Sequence, residues 1–185
     1  RITRVVARYV QYRAANKIFE RVVNTLQGKE NKDRGLIWHW QGSGKTLTMI
    51  FAAYKLYTEK LLENPTIFFI IDRVELQEQL FQEIAALDLG IKPREVGSKE
   101  ELKRVLLHDE GRGKRGFIVT LIHKFGRKDL INLKKFLEES LEGRDSILTR
   151  RNIIAFVDES HRTQYGTLAA QMRNILKKAF FFGFT

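Results

Sequence analysis

Three stretches of this chain are apolar at nearly every position: Thr66 to Ile71 (TIFFII), Gly116 to Ile122 (GFIVTLI) and Asn152 to Val157 (NIIAFV). A strand with one wet face alternates apolar and polar residues, so runs apolar on both faces predict strands covered on both sides. Such strands belong to parallel sheets sandwiched between helices. A fourth run, Ala179 to Phe184, predicts a last strand, and Leu36 to Trp38 a short first one. Helical periodicity fills the intervals: Thr46 to Leu62 after the first strand, Val74 to Leu87 after TIFFII, Glu100 to Leu107, and Gln164 to Lys177. Strands alternating with helices imply an α/β fold, an open, mainly parallel sheet with helices on both faces. Ligands of such sheets bind at the C-terminal ends of the strands.

The remaining segments are less constrained. Val5 to Val23 reads as an amphipathic helix ending before Gly28, and Asn24 to Arg34 as a polar loop. Gly111 to Gly116 (GRGKRG) reads as an exposed turn, and Asp129 to Arg151 as charged helix or loop. With 185 residues and 43% hydrophobic content the chain suits one domain with a full core. It begins without Met and stops directly after an apolar run, as a segment cut from something longer would.

The formal charge of +11 is spread along the chain, which points to a polyanionic partner, nucleic acid first among them. The plainer alternative is a merely soluble basic surface, or one balanced by other parts of a larger protein. The absence of Cys excludes a disulfide framework and a thiolate metal site, and fits a cytoplasmic protein. No apolar stretch approaches the length of a membrane span, and the N-terminus does not resemble a secretion signal.

The chemistry concentrates in two places. In His39-Trp-Gln-Gly-Ser-Gly-Lys-Thr46 a glycine-rich turn lies between a strand and a helix, a geometry that aims several backbone N–H groups at one point. Phosphate oxygens suit that point. The loop runs from Gln41 to Thr46: Gln41, Gly42, Ser43 and Gly44 would cradle phosphate, Lys45 would reach the β- and γ-phosphates, and the Thr46 hydroxyl would ligate Mg²⁺. The general pattern GxxxxGK(S/T) has Gly where this chain has His39. The second place is Val157-Asp158-Glu159-Ser160-His161, where two carboxylates leave an apolar strand. Alone, such a pair is usually a solvated turn or a helix cap. Beside a phosphate loop it suggests divided labour, with Asp158 holding Mg²⁺ and Glu159 deprotonating the attacking water.

Here the sequence resembles a known family. Asp158 to His161 (DESH) is similar to motif II of superfamily 2 helicases and translocases. VDESHRTQYG, together with IWHWQGSGKTLTM and the terminal FFGFT, resembles the motor subunit of type I restriction endonucleases. His in place of the first Gly is typical of that family, whereas Trp40 departs from the small polar residue common there.

The resemblance extends along nearly the whole chain and implies a RecA-like domain carrying further roles. Residues 1–30 would bear the Q motif, with Gln11 reading the adenine edge of ATP; its alternative is a polar residue on the exposed side of a helix. Residues 34–185 would be the P-loop NTPase core. Asp72-Arg73 resembles motif Ia, in which Arg73 would touch the DNA backbone, although Asp72 could equally cap the next helix. Thr120 and Lys124 would bind DNA phosphate, with Phe125 in the core. His161 would couple the nucleotide site to Thr185, the first residue of motif III.

The expected function is therefore that of an ATP- and Mg²⁺-dependent motor domain drawing double-stranded DNA towards a nuclease in another domain. Its partners would be the methyltransferase and specificity subunits of a restriction-modification complex. In the resembled family a second RecA-like domain supplies an arginine finger, so these 185 residues alone should bind Mg·ATP with little turnover. Three alternatives stand beside it: another superfamily 2 motor, such as a type III restriction subunit or a repair helicase; a small-molecule P-loop kinase; and a non-hydrolytic nucleic-acid-binding module.

Overall fold

A computed structural model describes residues 6–40, 42–158 and 163–185, with the backbone alone described at 122 and 163–168. Six strands form one sheet: β1 (Arg34–Ile37), β2 (Thr66–Ile71), β3 (Arg94–Val96), β4 (Gly116–Leu121), β5 (Ile153–Val157) and β6 (Phe180–Phe184). Every pairing is parallel, in the order β1-β6-β5-β2-β4-β3. The α-helices among the described residues are α1 (Tyr9–Leu26), α2 (Lys45–Tyr57), α3 (Val74–Ala86), α4 (Lys99–Leu107), α5 (Arg127–Ser140) and α6 (Thr163–Ile175).

The period-two alternation of a strand divides the core into two layers. Ile67, Phe69 and Ile71 of β2 face α1, α2 and α3, together with Phe117 and Val119 of β4, Phe156 of β5, and Phe182 and Phe184 of β6. Phe68 and Ile70 face the other way, against α4, α5 and α6, with Ile118, Ala155 and Phe181. All six residues of β2 are buried, as a central strand apolar on both faces requires. Across the first layer the Phe156 ring stands 5.7–6.1 Å from the rings of Phe69, Phe182 and Phe184. The phenylalanines of these runs are core, as their spacing suggests.

Several boundaries move from the sequence reading. The first helix begins at Tyr9 and runs to Leu26, with Gly28 just beyond it at φ 74°. The second stops at Tyr57, because the Thr58 hydroxyl donates to the Tyr54 carbonyl and Glu59 caps a separate 3₁₀ turn, Lys60–Leu62. The first strand is Arg34–Ile37, and Trp38 lies outside it, 83% exposed. β3 has no counterpart in the sequence reading. It is three residues long with two of them exposed, so it carries no apolar run.

The glycine-rich segment at 111–116 is not simply an exposed turn. Gly111 and Gly113 are buried at φ 90° and 84°, where a Cβ would approach Leu141 and Ile147 side chains to 2.3 Å. The buried guanidinium of Arg150 donates to the Arg112 carbonyl and fastens the turn beneath β4. Only glycine fits this close approach. No helix among the described residues is long and apolar enough to cross a membrane.

Candidate functional site

Because all strands run parallel, their C-terminal ends share one edge of the sheet, and nearly every candidate residue leaves from it. The 38–44 loop follows β1, Asp72 and Arg73 follow β2, the 3₁₀ turn Ile122–Lys124 follows β4, Asp158 follows β5 and Thr185 follows β6. The order β1-β6-β5 puts Thr185 between the loop and Asp158. At about 4.8 Å per strand, the ends of β1 and β5 are roughly 10 Å apart.

Gly42 and Gly44 are left-handed, at φ 79° and 82°, a conformation costly for any residue with a Cβ. Gly44 is the N-cap of α2, and no side chain caps that helix. Its first-turn N–H groups and the positive end of its dipole thus face the loop, an arrangement that suits an anion. Lys45 opens the helix, and Thr46 and Ser43 are buried beside it.

Two side chains, those of Gln11 and His39, hold this loop through Ser43. Gln11, only 3% exposed, accepts from the Arg8 N–H through Oε1 and donates through Nε2 to the carbonyls of Ser43 and Gly44, at 3.2 and 3.3 Å. It is not on the exposed face of its helix: its Oε1 is taken by the Arg8 N–H and its Nε2 by the loop backbone. His39 is 6% exposed, and its Nδ1 lies 2.8 Å from Ser43 Oγ in a hydrogen bond whose direction the ring tautomer sets. Burial, and then the charge of Lys45, hold the His39 pKa below its ordinary value, which favours the neutral ring. The His39 ring also stacks on Phe184. Its backbone N–H donates to the Thr185 carbonyl at 2.8 Å, while the Thr185 N–H donates to Ile37. Trp40 is exposed on the outer side of the loop.

Asp158 is buried at the end of β5, its N–H donating to the Ile70 carbonyl. A Thr46 hydroxyl and an Asp158 carboxylate are hard oxygen donors of the kind Mg²⁺ takes. Gln41, Glu159 and His161 lie outside the described residues.

The candidate DNA-contacting residues separate on burial. Arg73 is exposed and lies 3.8 Å from the buried Asp72 carboxylate. It is Arg73, not Asp72, that occupies the N-cap of α3, and no side chain caps that helix. Lys124 is partly exposed and pairs loosely with Glu95 on β3, at 3.7 Å. Thr120 is buried inside β4, and its hydroxyl donates to the Val96 carbonyl of the neighbouring strand at 3.0 Å, a bond that braces β4 against β3. Phe125 is core, as expected. His123, beside Lys124, joins two strand ends through a 2.9 Å hydrogen bond between Nδ1 and the Asp72 carbonyl.

Residues 10–185 match the SWI2/SNF2 ATPase family, and the chain belongs to it. The chain is also similar to type I restriction enzyme endonuclease subunits. The putative MjaVIIIP protein of this kind from Methanocaldococcus jannaschii is 36% identical over 194 residues, covering 100% of this chain and 18% of the relative. The HindI protein from Haemophilus influenzae is 35% identical over 195 residues, covering 97% and 17%. The C-terminal part of the putative MpnIIP protein from Mycoplasma pneumoniae is 31% identical over 171 residues, covering 90% of this chain and 77% of the relative. The chain thus spans less than a fifth of the length of the first two relatives. In fold it resembles the crystal structure of the UvsW helicase from bacteriophage T4, with TM-score 0.56 and 15% identity, over 98% of this chain and 53% of that one.

Proposed function

We propose that this chain is the ATP-binding half of a type I restriction motor, coupling ATP hydrolysis to double-stranded DNA translocation before another domain cleaves. The observation that carries the reading is the meeting, on one sheet edge, of an uncapped helix α2 behind two left-handed glycines and a buried carboxylate two strands away. The type I restriction relatives favour it over a repair helicase or a small-molecule kinase.

In this reading the loop N–H groups and Lys45 bind the triphosphate, and Thr46 and Asp158 hold Mg²⁺. The metal, when bound, neutralises charge on the phosphate oxygens. Gln11 fixes the loop backbone that the phosphates meet. Glu159 takes the proton of the attacking water. Arg73 and Lys124 lie on the same edge and serve the DNA backbone. A second RecA-like domain completes the site, and the full assembly includes methyltransferase and specificity subunits.

The test is ATP hydrolysis by the full-length protein with and without double-stranded DNA. DNA should stimulate the wild type and not Lys45→Ala, and Arg73→Ala should raise the DNA concentration needed for half-stimulation. Equal turnover with and without DNA would contradict the motor reading.

A further inference from the structure

His39 touches both the phosphate loop and the segment after β6. Its ring bonds the buried Ser43 hydroxyl at 2.8 Å, and its backbone N–H holds the Thr185 carbonyl at 2.8 Å. The stack on Phe184 ties the same ring to the last residue of β6. Ser43 is held on its other side by Gln11, so its hydroxyl cannot shift without moving either the His39 ring or the loop backbone. Since β6 lies between β1 and β5, any displacement of Thr185 falls between the loop and Asp158.

We infer that His39 is a positioning residue that transmits occupancy of the phosphate loop to the Thr185 end of β6, through Ser43 on one side and its own backbone on the other. The inference rests on the proposed nucleotide site and adds to it a route by which bound phosphate is felt at a neighbouring strand end. A phosphate that fixes the loop fixes Ser43, Ser43 fixes the ring, and the ring fixes the peptide that carries Thr185. The mechanism needs a hydrogen-bonding group at Nδ1, not merely a ring of that volume.

Amide hydrogen exchange of the full-length protein, with and without Mg²⁺ and ATPγS, tests it. In the wild type, exchange should slow at least tenfold both at Lys45 and Thr46 and at Thr185. In His39→Phe, which keeps the stack and the backbone bond, the loop should remain protected while Thr185 returns to within twofold of its ligand-free rate. His39→Asn, whose amide stands near the place of Nδ1, should restore protection at Thr185. Wild-type protection at Thr185 in the Phe variant, or failure of Asn to restore it, would overturn the coupling. If the Phe variant does not fold, His39→Leu, which likewise lacks a hydrogen-bonding group at that place, should give the same split. A wild type with no protection at the loop itself would instead sink the nucleotide site, and the coupling with it; protection at the loop without protection at Thr185 sinks the coupling alone.

Discussion

Replacing Gly44 by alanine should weaken ATP binding far more than replacing Gly42, although both glycines are left-handed and only two residues apart. At Gly42 an added Cβ meets nothing within 4 Å, so Gly42→Ala costs only the left-handed strain, about 1–2 kcal/mol. At Gly44 the Cβ would stand 2.1 Å from Gln11 Nε2. The glutamine must swing away, and its two bonds to the Ser43 and Gly44 carbonyls are lost, each worth about 0.5–1.5 kcal/mol net. The sum is about 2–5 kcal/mol. At about 1.4 kcal/mol per tenfold this weakens ATP roughly 30-fold or more, against roughly 5- to 30-fold for Gly42→Ala. Titration calorimetry of the full-length protein with Mg·ATP measures both. In a Gln11→Ala background there is nothing left to displace, so Gly44→Ala should there cost only its strain. The reasoning is refuted if Gly44→Ala is no worse than Gly42→Ala, or if Gly44→Ala and Gln11→Ala act additively.

Three further outcomes follow from the same structure. Because the folded His39 pKa lies below the ordinary value of about 6.5, the unfolded chain binds that proton more readily; stability should fall as pH drops below about 6.5 towards the folded pKa and be unaffected by this group above it. His39→Asn should flatten that part of a urea-midpoint profile between pH 5 and 8, and an unchanged slope would contradict the burial of a neutral ring. Lys124→Ala should lower the slope of log affinity for DNA against log salt by about 0.9, whereas Thr120→Val should leave it unchanged and cost about 1 kcal/mol of stability. Phe156→Ala, in the middle of the ring series and fully buried, should cost about 3–5 kcal/mol by denaturant titration, and a loss under about 1 kcal/mol would deny that the first core layer is close-packed.

The sheet was legible where apolar runs exceed what a one-faced strand allows, as in β2, β4, β5 and β6. The edges were not. β3 has too few buried residues to leave a pattern, and β1, with Leu36 71% exposed, reads one to two residues late. The glycine loop between β1 and α2 was legible because strand, glycines and helix follow one another directly. The residues that brace it were not: Gln11 stands 32 residues from Ser43, and no local spacing says that a polar position on an amphipathic helix will be buried against a loop. The Thr120 contact was hidden for a related reason. A hydroxyl near a strand end suggests a ligand, but β3 supplies its partner, and β3 was the strand the sequence hid. His39 was recognised as a departure from the general glycine, but its contact with Thr185 depends on β6 pairing beside β1, which only the strand order reveals.

The central claim is that the loop and Asp158 form an ATPase site that answers to DNA. Steady-state ATP hydrolysis by the full-length protein, measured across a titration of double-stranded DNA, tests it most directly. The account predicts a saturable rise in turnover that Lys45→Ala and Asp158→Asn each abolish. Turnover indifferent to DNA, or retained when Lys45 is removed, would contradict it.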